Sequence, residues 1–304
     1  MPLASLVCLA AALVGPPVAR TQALAAAITP LVKAHSGKVA VAVRHLRTGE
    51  GFYHAADEVM PTASLIKLPV LVEAYWQADE GKISLDTKLT LTKDDCVPGS
   101  GVLTDCFTPG ATLTTRDACR LMITVSDNTA TNLVLGRVGI PSANVRMATL
   151  GFPNTRINAK VYKGKATTID AERSKKYGLG STTAREMVGL LGLLHAGEVA
   201  SPQACIEMLG ILRKNHDNDM LVRLLPDGAV VAHKTGAVSD ARTDAGILYL
   251  HGRPAVAVCV LTCDNADQRW VVDNQAQLTI ARVGRAVYDH YAPREPKPAP
   301  AAKK

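Results

Sequence analysis

The clearest strand patterns in this chain lie near its two ends, and the stretch between them reads as helix and loop. Residues 38–46 form a β-branched, apolar run that ends in a Thr-Gly-Glu-Gly turn, and 52–59 return as a second strand. Three further strands are predicted late, over 230–232, 246–249 and 255–261. Helices are predicted over 21–34, 65–76, 114–125, 129–138, 142–150, 184–196, 202–213 and 269–291. Strand runs kept apart from helix runs argue α+β rather than a βαβ wind. The early and late strands can meet as one antiparallel sheet flanked by helices. The middle of the chain then forms an all-helical lobe. The polar, Lys-rich segment 155–181 shows no period, and so long an irregular stretch inside a compact domain is usually functional.

The 304 residues suffice for one large domain, placed over 26–291, with an α/β lobe (26–61 and 222–291) and a helical lobe (62–221). Residues 3–14 are apolar and Ala23-Leu24-Ala25 offers a cleavage-like site, so 1–25 is read as a signal segment for export. No Lys or Arg precedes the apolar run, which departs from the usual signal pattern, and the run is too short to span a bilayer. The Pro/Ala/Lys tail 292–304 is expected to be disordered. The net charge of +7 is partly carried by that tail. With three Phe, two Trp and no basic stripe interleaved with aromatics, nucleic acid is not an expected partner. A monomer acting on a small molecule is expected instead. Cys96 and Cys106 flank a Pro-Gly-Ser-Gly turn and admit a bridge in an oxidising compartment; unpaired thiols are the alternative. No Cys/His set has zinc spacing and no Gly-rich phosphate loop follows a strand, so neither metal nor cofactor is predicted.

Three short motifs carry chemistry. Ser64-x-x-Lys67 opens an apolar helix, and residues three apart share a helix face, so the amine can reach the hydroxyl. A serine is a weak nucleophile until a neighbour takes its proton. A lysine serves only if burial or another cation lowers its pKa. Ser126-Asp127-Asn128 interrupts the central helices. Lys234-Thr235-Gly236 closes the predicted strand at 230–232, with a fixed charge, a hydroxyl and a residue that allows close backbone approach.

In this order, and in these contexts, the three motifs are those of class A β-lactamases and penicillin-binding proteins. From about residue 24 to 291 the chain resembles the class A serine β-lactamases and the wider group of penicillin-recognising serine hydrolases. The stretches Pro98-Gly-Ser-Gly-Val-Leu103 and Thr182-Thr-Ala-Arg-Glu-Met187 extend the likeness. The resemblance implies a β-lactam or related acyl substrate attacked by Ser64, with Lys67 as proton acceptor or relay. It further implies Ser126, tuned by Lys234, as proton donor to the leaving nitrogen, and an oxyanion hole at the N–H groups of Ser64 and Ala237. Asn128 would hold the substrate amide. Thr235 and Gly236 would line its carboxylate end, with Arg242 as a charged partner. Asp127 is expected to fix its loop rather than do chemistry.

One element is missing. Family members usually carry a loop glutamate, closely followed by asparagine, that activates the deacylating water. Here the loop offers Asp170 and Glu172 as its nearby carboxylates, and spacing from Thr182 points to Thr167. The expected activity is a β-lactamase that uses Asp170, Glu172 or another base. The alternatives are a DD-peptidase or esterase-like hydrolase that β-lactams inhibit, and a non-turnover sensing module.

Overall fold

The computed structural model describes residues 17–292. Most of the expected signal segment, and the tail from 293 onward, lie outside the described residues. The expected cleavage site falls within α1 (Pro17–Lys33), where Leu24 is fully buried in the core.

Helix α1 leads into the hairpin of β1 (Lys38–His45) and β2 (Gly51–His54). The chain then crosses into the helical lobe through β3 (Met60–Pro61), a 3-10 turn at Ala63–Ile66, and α2 (Lys67–Asp79). The lobe continues with β4 (Lys88–Thr90), α3 (Leu103–Cys106), β5 (Thr112–Thr114), α4 (Thr115–Thr124), α5 (Asn128–Val138) and α6 (Ile140–Thr149). Short elements follow: β6 (Arg156–Ile157), α7 (Gly164–Thr167), α8 (Ala171–Tyr177) and β7 (Gly180–Thr182). After α9 (Ala184–Ala196) and α10 (Pro202–Leu212) the chain returns as β8 (Val230–Val238), β9 (Ala241–Leu250) and β10 (Arg253–Cys263), and closes on α11 (Gln275–Tyr291).

The main sheet runs β2-β1-β10-β9-β8 and is antiparallel throughout, so the two ends of the chain meet at β1 and β10, with Val41 opposite Val260. This is the α+β sheet that the sequence pattern predicts. Alternate residues serve two cores. Val39, Val41, Val258 and Val260 pack with Leu24, Ile28, Ile280 and Val283 of α1 and α11. Ala40, Ala42, Ala257 and Leu261 face the other way and join Leu68, Met122 and Leu191 of the helical lobe. Covering both faces is why these strands read as unbroken apolar runs. Helix α2 is buried on almost every side, from Lys67 through Tyr75.

Helix starts follow side-chain chemistry. Thr114, Asp127, Thr183 and Ser201 each accept the N–H three residues on, capping α4, α5, α9 and α10. Two departures matter for the site. First, β8 extends to Val238, well past the predicted 232, so Lys234-Thr235-Gly236 lies inside a strand. That strand is the outer edge of the sheet. Second, 155–181 is not irregular: β7 pairs with β3 and β6, setting Ser181 opposite both Pro61 and Arg156. Strands of two or three residues are too short to show a period.

Candidate active site

Ser64 sits in the 3-10 turn just before α2, at the point where edge strand β8 passes closest. Gly236 makes that approach possible: a Cβ there would stand 2.4 Å from Thr62 O, 2.5 Å from Thr243 Oγ1 and 2.7 Å from Leu65 N. Thr243 Oγ1 donates to Thr62 O at 2.8 Å, tying β9 to the same turn. A cleft of about 880 Å³ opens here, lined by Ser64, Ser126, Asn128, Thr235, Gly236 and Ala237 among others. Three non-glycine residues of its wall hold left-handed backbone: Ala63 (φ 45°), Ser126 (φ 54°) and Tyr162 (φ 54°). Such strain is maintained only where the surroundings over-determine it.

Lys67 is fully buried with its amine under the cleft floor. Nζ donates to Ser126 O at 2.6 Å, Asn128 Oδ1 at 2.8 Å and Ser126 Oγ at 3.1 Å, but not to Ser64. Burial, and then the charge of Lys234, hold its pKa well below the usual lysine value, against an opposing pull from Asp127. Lys234 is also fully buried and donates to Thr235 O at 2.7 Å. Burial lowers its pKa to about 8, while Asp217 and Asp244 favour its charge. Two interacting buried amines with lowered pKa values, one of them 3.1 Å from the Ser126 hydroxyl, are equipped to move protons.

The motif loop is braced from beneath. Asp127 accepts Val102 N–H at 2.7 Å, Leu103 N–H at 2.8 Å and Ala130 N–H at 2.8 Å. Those three bonds use its carboxylate structurally. Asn128 Nδ2 donates to Pro98 O at 3.0 Å, and Ser100 Oγ donates to Ser126 O at 2.8 Å. Thr235 Oγ1 donates to Asp217 Oδ2 at 2.7 Å.

Three expected participants lie elsewhere. Arg242 is buried and does not line the cleft. Its guanidinium donates to the carbonyls of Val238, Ala241 (3.0 Å) and Arg269 (3.3 Å), and stacks with the Trp270 ring 4.6 Å away. One residue past the hairpin turn, its side chain curls over the turn's own carbonyls. Asp170 caps α8 by accepting Arg173 N–H at 2.9 Å, and Glu172 is exposed in the first turn of that helix. Neither faces the cleft.

What the loop does present is Lys160, Val161 and Tyr162, then Lys175, Lys176 and Tyr177. Asn132 sets this part of the loop: its Nδ2 donates to Val161 O at 2.9 Å and its Oδ1 accepts Val161 N–H at 2.8 Å. Asn132 lies one helical turn beyond Asn128 on α5. The cleft's carboxylates, among the described residues, are Asp217 and Asp240. Cys96 and Cys106 are free thiols. Among the described residues no His/Cys/Asp/Glu group is placed to hold a metal, and no helix is long and apolar enough to cross a membrane.

Comparison with known proteins decides the family. The sequence profile of the β-lactamase enzyme family matches residues 23–291. The chain belongs to the β-lactamase enzyme family. Among the relatives of this family member, a β-lactamase of Rhodobacter capsulatus is 26% identical over 268 residues, covering 88% of this chain and 87% of that protein. Among solved structures, the β-lactamase from Sphaerobacter thermophilus superposes with a TM-score of 0.76 at 28% identity, covering 88% of this chain and 96% of the other. PBP-A gives 0.76 at 29% identity, covering 88% and 95%. A mutant of PBP-A solved as an acyl-enzyme with penicillin G gives 0.76 at 27%, covering 90% and 96%.

Proposed function

We propose that this β-lactamase-family serine hydrolase opens β-lactams through an ester on Ser64, and that release of the ester limits its turnover. The observation that carries the reading is the buried Lys67 amine, with a lowered pKa, bonded to Ser126 and Asn128 behind the cleft that presents Ser64. Ser64 Oγ attacks the lactam carbonyl and its proton passes to neutral Lys67. The N–H groups of Ser64 and Ala237 receive the oxyanion. As the C–N bond breaks, Ser126 gives its hydroxyl proton to the nitrogen and takes one from Lys67 across their 3.1 Å contact. Lys234 supplies the field that favours this transfer. Asn128 and Thr235, with Gly236, bracket the substrate.

Lys67 is neutral again at the end of that sequence. With no carboxylate of the 155–181 loop on the cleft, and Asp217 already bonded to Thr235, Lys67 serves as the base that activates the deacylating water. Release is then the slower half-reaction, because no loop carboxylate faces the cleft to activate the water. The same absence favours a second reading, a DD-peptidase or esterase-like hydrolase that β-lactams inhibit. A mutant of the similar PBP-A was solved as an acyl-enzyme with penicillin G, which supports a long-lived ester. We place the protein outside the cytoplasmic membrane, on the strength of the apolar segment 3–14.

The test is a time course with a chromogenic cephalosporin, run beside mass spectrometry of the intact protein. Sustained turnover with transient Ser64 adduct supports the β-lactamase. A stoichiometric burst with a persistent adduct supports the second reading, and cleavage of a D-Ala-D-Ala peptide then identifies it. Adduct formation by Ser64→Ala protein would sink both.

A further inference from the structure

One carboxylate is built into the strand wall of the cleft. Asp217 stands in the turn-rich stretch between α10 and β8 and lines the cleft. Its N–H donates to Asn215 Oδ1 at 3.2 Å, and its Oδ1 accepts Asp219 N–H at 3.2 Å. These bonds turn Oδ2 toward β8, where it accepts from Thr235 Oγ1 at 2.7 Å. A threonine hydroxyl has one proton to donate. Here that proton is already given to an anion of the protein itself.

The charges around it point the same way. Asp217 lies near enough to Lys234 to favour its ammonium form, as a bound carboxylate would. Arg242, expected as the cationic partner at this end, is turned to the hairpin carbonyls instead. The other lysines of the cleft, half-buried Lys160 and exposed Lys175 and Lys176, belong to the loop wall. A second carboxylate brought to Thr235 would lose the hydroxyl proton and meet a like charge.

We infer that Asp217 fills the anion position beside Thr235 and sets the substrate class: acyl donors with a neutral or cationic group next to the scissile amide are favoured over those with a free carboxylate. This rests on the reading of Thr235 as a substrate contact. Asp217 touches no reacting atom and acts through Thr235 as a specificity residue.

Benzylpenicillin and its methyl ester differ by one charge at this position and make a paired probe. Equilibrium binding to Ser64→Ala protein, by calorimetry, measures recognition without acylation. The ester is expected to bind at least as tightly as the acid. Adding Asp217→Asn, which removes the charge with little change of shape, should tighten the acid at least tenfold and leave the ester within twofold. Asp217→Ser should behave alike. Asp240→Asn removes an equal charge from the cleft without touching Thr235, and should move the acid less than threefold. An unchanged acid-to-ester ratio in both Asp217 variants overturns the inference. So does an equal shift from Asp240→Asn, or no measurable binding of either probe. Acylation of the unmutated protein by the same pair, read by mass, tests the Ser64 reading separately: no adduct with a shifted binding ratio sinks acylation and leaves Asp217 in its role.

Discussion

Replacing Gly236 by alanine is expected to disable acylation while leaving the protein folded. The added Cβ would meet Thr62 O at 2.4 Å, Thr243 Oγ1 at 2.5 Å and Leu65 N at 2.7 Å, where ordinary contact begins at 3.4 Å. Either β8 or the Ser64 turn must therefore retreat by about 1 Å. Two of the three atoms are backbone on either side of Ser64, so no rotamer change relieves the contact. The third, Thr243 Oγ1, is held by its bond to Thr62 O. Overpacking of this kind costs about 1–3 kcal/mol, a fraction of the roughly 5–15 kcal/mol that holds a domain folded. Catalysis is more sensitive. A displacement of about 1 Å between reacting groups costs about 10²-fold in rate, or roughly 2.7 kcal/mol of barrier. The assay is the second-order rate constant for acylation by a chromogenic cephalosporin, with a thermal melt on the same sample. Gly210→Ala in α10 is the control: nothing lies within 4 Å of its added Cβ. It should acylate normally and gain up to about 1 kcal/mol of stability. If Gly236→Ala acylates within threefold of the parent, β8 does not form the wall against which the ester is made.

The pH dependence of acylation follows from the two buried amines. Lys67 must be neutral and its pKa is held well below 10.5, whereas Lys234 must be charged and titrates at about 8. The rate should rise as Lys67 loses its proton and fall as the pH passes about 8. Lys234→Arg, which stays charged, should move that fall to higher pH; the same alkaline limb in both proteins would refute the assignment. Asp170→Asn and Glu172→Gln, which alter groups away from the cleft, should leave the lifetime of the Ser64 adduct within twofold, measured by mass after rapid dilution. A tenfold lengthening would restore one of them as the base. Asp127→Ala strands the N–H groups of Val102, Leu103 and Ala130. At about 1–3 kcal/mol for each unsatisfied group, the loss should exceed about 3 kcal/mol in a urea titration. A loss below about 1 kcal/mol would mean water replaces the carboxylate.

The parts of the site that were legible in the sequence are those made of neighbours in the chain. Ser64 and Lys67 share a helix face at a helix start, and Thr183 and Thr114 cap where an apolar run begins. The sheet was legible because its strands are covered on both faces and so stand out as apolar runs. Arg242 misled for a physical reason: its position in β9, opposite Ala237, places it two pairs from Thr235 on the neighbouring strand. A long side chain beside a hairpin, however, can satisfy carbonyls of its own turn. The pairing of Asn132 with Val161 joins residues far apart in sequence, and no local pattern announces it.

The sequence by itself determined the α+β architecture, the pairing of Ser64, the proposed nucleophile, with Lys67 at one helix start, and the lack of a Glu-x-x-x-Asn in the loop, because each depends on residue type and spacing along one element. Tertiary structure alone decided where the remaining charges go. It turned Lys67 to Ser126 and Asn128 rather than Ser64, withdrew Asp170, Glu172 and Arg242 from the cleft, and brought Asp217 to Thr235. A charged side chain goes where burial, neighbouring charge and unpaired backbone groups make it cheapest to hold. Those three conditions exist only once strands and loops from distant parts of the chain have packed together.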